Sequence, residues 1–534
     1  MHASAHLDTF ARDHLPPPEQ WPELVFDGPG LQFGPRLNAA TELLDRWVDQ
    51  GHGDRPCVQG AGVRWTYAEL QAEANRIAHV LVGELGLRPG NRVLLRGANT
   101  PQLAACWFAV IKAGAIAVAT MPLLRAGELG KVIAKAEISH ALCDAELAGE
   151  LMAAQQLHPV LRSLCLYRSA APDGLEARAA RQPAAFTNVD TASDDCALIA
   201  FTSGTTGQPK GTMHFHRDIL AICRCWPPHC LQPTAADVFI GSPPLAFTFG
   251  LGGLLLFPMS VGASAVLLEK ASPALLLAAT AEHRATVCFT APTSYRAMAP
   301  LVAQHDLSAL RKCVSAGEAL PAATRQLWKD ATGIELIDGI GATELLHIFI
   351  SHTEATARPG ATGRPVPGYQ ACILDDAGRV LPPGRVGRLA VKGPTGCRYL
   401  ADERQLHYVL NGWNLTGDSY LLDDAGCFHY QARTDDMIIS GGYNIAGPEI
   451  EAALLAHPAV AECAVIGVPD EERGQLVKAF VVLRAGHAAD ARALQEHVKA
   501  AIAPYKYPRA IEFRDTLPRT ETGKLQRFKL RETP

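Results

Sequence analysis

Thr202-Ser203-Gly204-Thr205-Thr206-Gly207-Gln208-Pro209-Lys210-Gly211 is the stretch on which the reading of this chain turns. It follows an apolar run over 196–201 that reads as a strand, and it precedes a helix expected near Asp218. Its glycines let backbone N–H groups approach a polyanion without side-chain obstruction. The hydroxyls of Thr202, Ser203, Thr205 and Thr206 add donors, and Lys210 adds a charge. By physical logic this is a phosphate cradle. It is not a Walker A loop, which needs Gly-Lys-Ser/Thr, because Lys210 lies between Pro209 and Gly211. P-loop kinases and GTPases are therefore disfavoured. Taken alone, the decapeptide is also compatible with a flexible surface loop.

Outward from it, helix and strand patterns alternate. Thr66-Tyr67-Ala68-Glu69 reads as a capping box, with Leu70, Ala74, Ile77 and Leu81 on one helical face. A strand is expected over 91–96, a helix from Thr100-Pro101 to Gly114, and another strand over 115–120. Such units imply parallel sheets covered by helices, an α/β fold. The last hundred or so residues read as a separate small α+β unit, with strands over 460–468 and 478–483 and a helix over 490–502. The expected division is a large domain over 1–434 and a small one over 435–534. The segment 505–531 is locally basic, which suits a single polyphosphate partner better than a nucleic acid.

The chain has 534 residues, 48% of them hydrophobic and 19% charged, with a formal net charge of −5. That composition is globular and gives no basic excess for nucleic acid. The N-terminal residues show no basic region followed by an apolar run, so no secretory signal is expected. The uncharged stretch over 238–268 is long enough to span a bilayer, but Pro243, Pro244 and Pro258 favour buried strands, turns and a short helix. The fourteen cysteines form no CxxC pair, which suits a reducing, cytoplasmic location. Cys223, Cys225, His229 and Cys230 make a zinc site conceivable, although the spacing matches no common finger and close packing is the simpler reading.

At the decapeptide the chain resembles the acyl-adenylate-forming superfamily, and further motifs follow in that family's order. Gly341-Ala342-Thr343-Glu344, Trp413-Asn414-Leu415-Thr416-Gly417-Asp418, Arg433-Thr434-Asp435-Asp436 and Pro518-Arg519-Thr520-Glu521-Thr522-Gly523-Lys524 carry the resemblance. It implies a large helix-covered domain and a mobile small domain that carries the catalytic lysine, Lys524. It implies ATP, Mg²⁺ and coenzyme A as reactants and cofactor, with Thr343 and Glu344 catalytic and Glu344 the metal ligand. The nucleotide would meet Thr202, Ser203, Gly204, Thr205, Thr206, Lys210, Ala316, Gly317, Glu318, Asp338, Gly339, Ile340, Asp418 and Arg433. Asp435 would be the hinge, and Gly441-Gly442 would line a pantetheine tunnel, unless that pair is an ordinary turn. A single cation about 4 Å from the reacting anions is worth roughly 4 kcal/mol at an effective dielectric of 20, which is the role expected of Lys524.

Within the superfamily the chain is similar to benzoate–CoA ligases, and to 2-aminobenzoate–CoA ligases in particular. The residues behind this are Pro243-Pro244-Leu245-Ala246-Phe247-Thr248-Phe249-Gly250-Leu251-Gly252-Gly253 and Asp338-Gly339-Ile340-Gly341-Ala342-Thr343-Glu344-Leu345-Leu346-His347-Ile348-Phe349. The resemblance puts Phe247, Gly341, Leu346 and His347 at a pocket for a small aromatic carboxylic acid; His347 also reads as a satisfied core histidine. Ile340 stands where many members carry an aromatic that stacks on adenine, and Ala432 replaces the glycine before the hinge arginine. A free-standing adenylation enzyme serving a carrier protein and a non-catalytic nucleotide binder are the competing readings. No nucleic acid or membrane partner is expected, and the chain is expected to be a monomer or homodimer.

Overall fold

In the computed structural model, residues 2–202, 209–440, 443–470, 474–502, 506–519 and 525–531 are described. They form four sheets. The first runs Ser163–Tyr167, His140–Asp144, Arg92–Arg96, Ile116–Thr120, Cys196–Thr202, Lys210–Phe215. Its first five strands are parallel and the last pairs antiparallel with Cys196–Thr202. Strand Arg92–Arg96 is wholly buried, as strands covered by helices on both faces must be. The helix Pro101–Lys112 lies over it, with Thr100 accepting from the Leu103 N–H and proline in the first turn. Thr66 and Glu69 form the expected capping box of helix Tyr67–His79.

The helix expected near Asp218 is present, and a strand the sequence reading did not name precedes it. Strand Lys210–Phe215 intervenes, and helix His216–Cys225 begins only after it, with Asp218 accepting from the Phe215 N–H at 2.9 Å. The strand's six residues pair with Cys196–Thr202 and satisfy their backbone in the ladder.

The second sheet has nine strands. Its centre is Val238–Gly241, Val287–Thr290, Lys312–Ser315 and Leu336–Gly341, all parallel. The loops leaving these strands therefore emerge along one carboxyl edge, where open α/β sheets bind ligands. Three of them are 242–247, 316–318 and 342–347. The uncharged stretch folds into strand Val238–Gly241, a helical run Thr248–Leu251, Gly252–Leu256 and Phe257–Ser260 with a π-type turn in its middle, and strand Ser264–Val266. No described helix is long and apolar enough to cross a membrane.

The third sheet is built on Gln370–Leu374, Val386–Lys392, Trp413–Leu422 and Phe428–Arg433. After Arg433 a short turn, Thr434–Asp436, leads to Ile438–Ser440, the first strand of the fourth sheet. That sheet is centred on the hairpin Val460–Asp470 and Gly474–Leu483, with helices Gly447–Leu455 and Ala491–Ala501. It has its own apolar cluster, drawn only from Ile438 onward.

Candidate active site

Lys210 opens the strand after the phosphate-type loop, and its Nζ lies 3.1 Å from Tyr399 Oη and 3.8 Å from Glu344 Oε1. Tyr399 donates to the same Oε1. Glu344 is only 8% exposed and sits in a turn, Thr343–Leu345, that leaves the carboxyl edge of the nine-stranded sheet. Burial and the adjacent Glu344 carboxylate push the Tyr399 hydroxyl far above its usual pKa, so it remains a donor. Sequence reading missed Tyr399, which lies 55 residues from Glu344 and 189 from Lys210.

The turn bearing Glu344 is held from behind. The Thr343 carbonyl accepts from the Leu346 N–H at 3.1 Å and from His214 Nε2 at 2.8 Å. Leu346 has φ of +72°, a strained value for a branched residue, costing about 1–3 kcal/mol. Gly341 is required at the start of the turn, because a Cβ there would lie 2.8 Å from the His347 carbonyl carbon. Thr202 is half-buried, and its Oγ1 has no partner among the described residues. Ser203, Gly204, Thr205 and Thr206 lie outside the described residues, as do Gly441, Gly442 and Lys524.

The neighbouring loops complete one wall. Ala316 is buried and Gly317 has φ of +90°, which glycine adopts without strain. Glu318 lies 3.6 Å from Arg519 Nη1, and Arg519 also donates to Glu462 at 2.8 Å. Asp338 and Gly339 lie on strand Leu336–Gly341. A Cβ on Gly339 would meet Ile348 at 2.7 Å. Burial pushes the Asp338 carboxyl up to about 7, although Arg325 works against the rise. Its Oδ1 has no hydrogen-bond partner among the described residues. Ile340 packs half-buried against the main core.

On the third sheet Asp418 and Arg433 face each other in register, 3.1 Å apart. Burial raises the Asp418 pKa, and Arg433 partly offsets the rise. The backbone of Asp435 lies in the turn Thr434–Asp436; its side chain is outside the described set.

The acid-side residues gather separately. Phe247 precedes helix Thr248–Leu251 and is half-buried. His347 is 2% exposed, with ring centroids of Phe257 at 4.4 Å, Phe249 at 5.7 Å and Trp226 at 6.0 Å. Gly252 makes room for it, since a Cβ there would lie 2.3 Å from His347 Cδ2. His347 Nε2 donates to the Phe249 carbonyl at 3.4 Å, which leaves Nδ1 as a bare acceptor with no partner among the described residues. Burial pushes its pKa down to about 3, so the ring is neutral at physiological pH. The core-histidine reading is met on one nitrogen and not on the other. Trp226, Phe249 and Phe257 were not singled out from sequence; their aromatic spacing carries no signal until the helical run folds back over them.

The cysteine cluster keeps its close-packed reading, and one charge-based expectation changes. Among the described residues no group of three or more His, Cys, Asp or Glu is placed to hold a metal, and Cys223, Cys225 and Cys230 are buried free thiols. Burial pushes the Cys225 thiol up to about 12 and the Cys230 thiol up to about 11. In the basic tail, Lys506 pairs with Glu449, Arg514 with Glu512, Arg527 with Glu451 and Arg531 with Asp436. Most of these carboxylates come from elements outside the tail, so a local charge count overstated what the tail offers a polyanion.

Residues 44–399 match the family model for an AMP-binding enzyme, and residues 449–524 match the model for the AMP-binding enzyme C-terminal domain. The benzoate–CoA ligase of Thauera aromatica is 35% identical, with 94% of this chain and 97% of that protein covered. A crystal structure of the anthranilate CoA ligase AuaEII in complex with anthranoyl-AMP superposes with a TM-score of 0.88 at 35% identity, covering 93% of this chain and 97% of that one. A benzoate CoA ligase from Burkholderia xenovorans LB400 gives 0.84 at 33% identity, covering 93% and 100%.

Proposed function

The chain belongs to the AMP-binding enzyme family, and from that premise we propose that it is an AMP-forming ligase that joins 2-aminobenzoate, or a related ring-substituted benzoate, to coenzyme A. The observation that carries the choice of acid is the aromatic cage around His347. Three rings surround a neutral imidazole whose Nδ1 has no partner among the described residues. A flat apolar wall suits an aryl ring. An unpaired buried acceptor is costly, and an N–H or O–H on that ring removes the cost where plain benzoate does not.

In this reading the acid carboxylate attacks the α-phosphorus of ATP, the bond to the pyrophosphate oxygen breaks, and acyl-AMP forms. The thiol of coenzyme A then attacks the acyl carbonyl and AMP leaves. Lys210 and the loop before it hold the triphosphate. Thr343 donates to the α-phosphate, Asp418 accepts from the ribose hydroxyls with Arg433 beside it, and 316–318 with 338–340 line the adenine. The acceptor Oδ1 of Asp338 suits the adenine amino group. Glu344 is the residue that would hold Mg²⁺, since that ion commonly takes one or two carboxylates plus phosphate oxygens and water. When bound, it would supply neutralisation of phosphate charge. Lys524 supplies a second cation at the reacting phosphorus, the small domain pivots at Asp435 near the boundary at 434, and Gly441-Gly442 line the path of the pantetheine arm.

The test is exchange of labelled pyrophosphate into ATP with a panel of benzoates, then thioester formation on adding coenzyme A. Exchange is expected with 2-aminobenzoate, and Lys524→Ala should lower it by about a thousandfold while calorimetry shows ATP still binding. Exchange only with acetate or long-chain acids would defeat the aryl reading. A product carried on a carrier-protein pantetheine and never on coenzyme A would assign the chain to carrier loading instead.

A further inference from the structure

Behind the Glu344 turn lies a set of buried polar residues that the proposed chemistry does not use. His214 and Lys210 are on the same strand, four residues apart, so both side chains project from one face. Lys210 reaches Glu344 from the front. His214, fully buried, donates from Nε2 to the Thr343 carbonyl at 2.8 Å, and its Nδ1 has no hydrogen-bond partner among the described residues. Asp218 Oδ2 stands 3.8 Å from His214 Nδ1 and is paired with Arg398, both carboxylate and guanidinium being wholly buried. Burial alone would raise the Asp218 pKa, but Arg398 and His214 more than offset it and hold the carboxyl below its usual range.

Arg398 and Tyr399 are consecutive, and their backbone is tied to the same strand. The Met213 N–H donates to the Arg398 carbonyl, and the Leu400 N–H to the Gly211 carbonyl, each at 2.8 Å. Alternation along this short extended segment sends Arg398 to Asp218 and Tyr399 to Glu344. The contacts therefore close a circuit: Lys210, Tyr399, Glu344, the adjoining Thr343 carbonyl, His214, Asp218 and Arg398, which adjoins Tyr399.

From this geometry we infer that His214 is a positioning residue, which fixes the Thr343–Glu344 turn through the Thr343 carbonyl, with the Asp218–Arg398 pair packed beside its ring. The inference rests on the reading of Glu344 as the carboxylate that meets Mg²⁺ and phosphate. The carbonyl that His214 engages is also the acceptor that closes the turn ending at the strained Leu346 backbone. Losing that bond frees the turn to shift by a fraction of an ångström, enough to misplace Glu344 while leaving the fold intact.

The experiment compares His214→Leu, which keeps volume and removes the donor, with His214→Gln, whose amide N–H can reach the same carbonyl. Circular dichroism and thermal melting establish that both fold. In pyrophosphate exchange with saturating 2-aminobenzoate, His214→Leu should lose roughly ten- to a hundredfold in kcat with the KM for 2-aminobenzoate unchanged, and His214→Gln should stay within about threefold of the parent. Calorimetry gives a readout independent of turnover. The gain in ATP affinity on replacing EDTA by Mg²⁺ should vanish in His214→Leu and persist in His214→Gln, with ATP in EDTA bound equally by all three. A folded His214→Leu that retains both kcat and the Mg²⁺ gain overturns the inference, as does a His214→Gln impaired as badly as His214→Leu. If the parent protein itself shows no Mg²⁺ gain and no exchange with any acid, it is the functional reading of Glu344 that fails.

Discussion

Around Glu344, the side chains of Lys210, Tyr399, His214, Asp218 and Arg398 each hold at least one polar partner within the protein. Around His347 the surroundings are apolar instead: aromatic rings enclose the imidazole, and both His347 Nδ1 and Trp226 Nε1 have no partner among the described residues. The two regions lie on either side of one turn, only three residues apart in sequence. The polar side is held by mutual contacts, although His214 Nδ1, Asp218 Oδ1 and Arg398 Nη1 have no hydrogen-bond partner among the described residues. The aromatic side carries unsatisfied groups that a ligand can complete. The contrast separates a part of the site held by buried charged pairs and hydrogen bonds from a part enclosed by aromatic rings.

The largest expected effect comes from opening the polar side. Asp218→Leu leaves Arg398 fully buried without its carboxylate and should destabilise the protein by about 3–5 kcal/mol in urea unfolding. Adding Arg398→Met should restore most of that loss. A single variant as stable as the parent would show that the circuit is not closed.

On the nucleotide side Asp338 has an Oδ1 without a partner among the described residues and a carboxyl pushed up to about 7 by burial. The folded state then binds a proton that the unfolded chain has released between about pH 4 and 7. Stability from this group is complete below the ordinary carboxylate range and is lost as pH rises through about 7. Asp338→Asn should match the parent's melting temperature near pH 4 and exceed it at pH 8, by no more than about 4 kcal/mol in stability. Equal melting temperatures at both values would place that carboxylate among satisfied groups.

The smallest effect probes the aromatic side alone. His347→Leu removes the orphan acceptor and should leave stability unchanged to within about 1 kcal/mol. Preference for 2-aminobenzoate over benzoate in kcat/KM should fall roughly tenfold, the worth of one hydrogen bond. An unaltered preference would separate His347 from substituent recognition.

Local features of the fold were legible. The Thr66–Glu69 capping box and the Thr100-Pro101 helix start each depend on residues within one turn. The α/β class followed from alternating periods, and the matching solved structures share that architecture. Strand Lys210–Phe215 was not legible, because Lys-Gly-Thr-Met-His-Phe has no clean alternation when both faces are buried. The family resemblance named Lys210 and Glu344, which lie 3.8 Å apart, but nothing local joins Arg398 to Asp218, 180 residues away. The same holds for Trp226 and His347, whose meeting depends on how the helical run over 248–260 is seated.

That helical run widens into its π-type turn at Gly252-Gly253, where added methyl groups would press on His347 and on the Phe289 ring at 2.3 and 2.5 Å. The imidazole occupies its place because Gly252 lacks a side chain, and Gly253 does the same for the Phe289 ring. Pocket dimensions can thus drift during evolution through a position behind the histidine, without altering any group that faces a ligand. Divergence in which acid is accepted need leave no trace in the lining residues themselves.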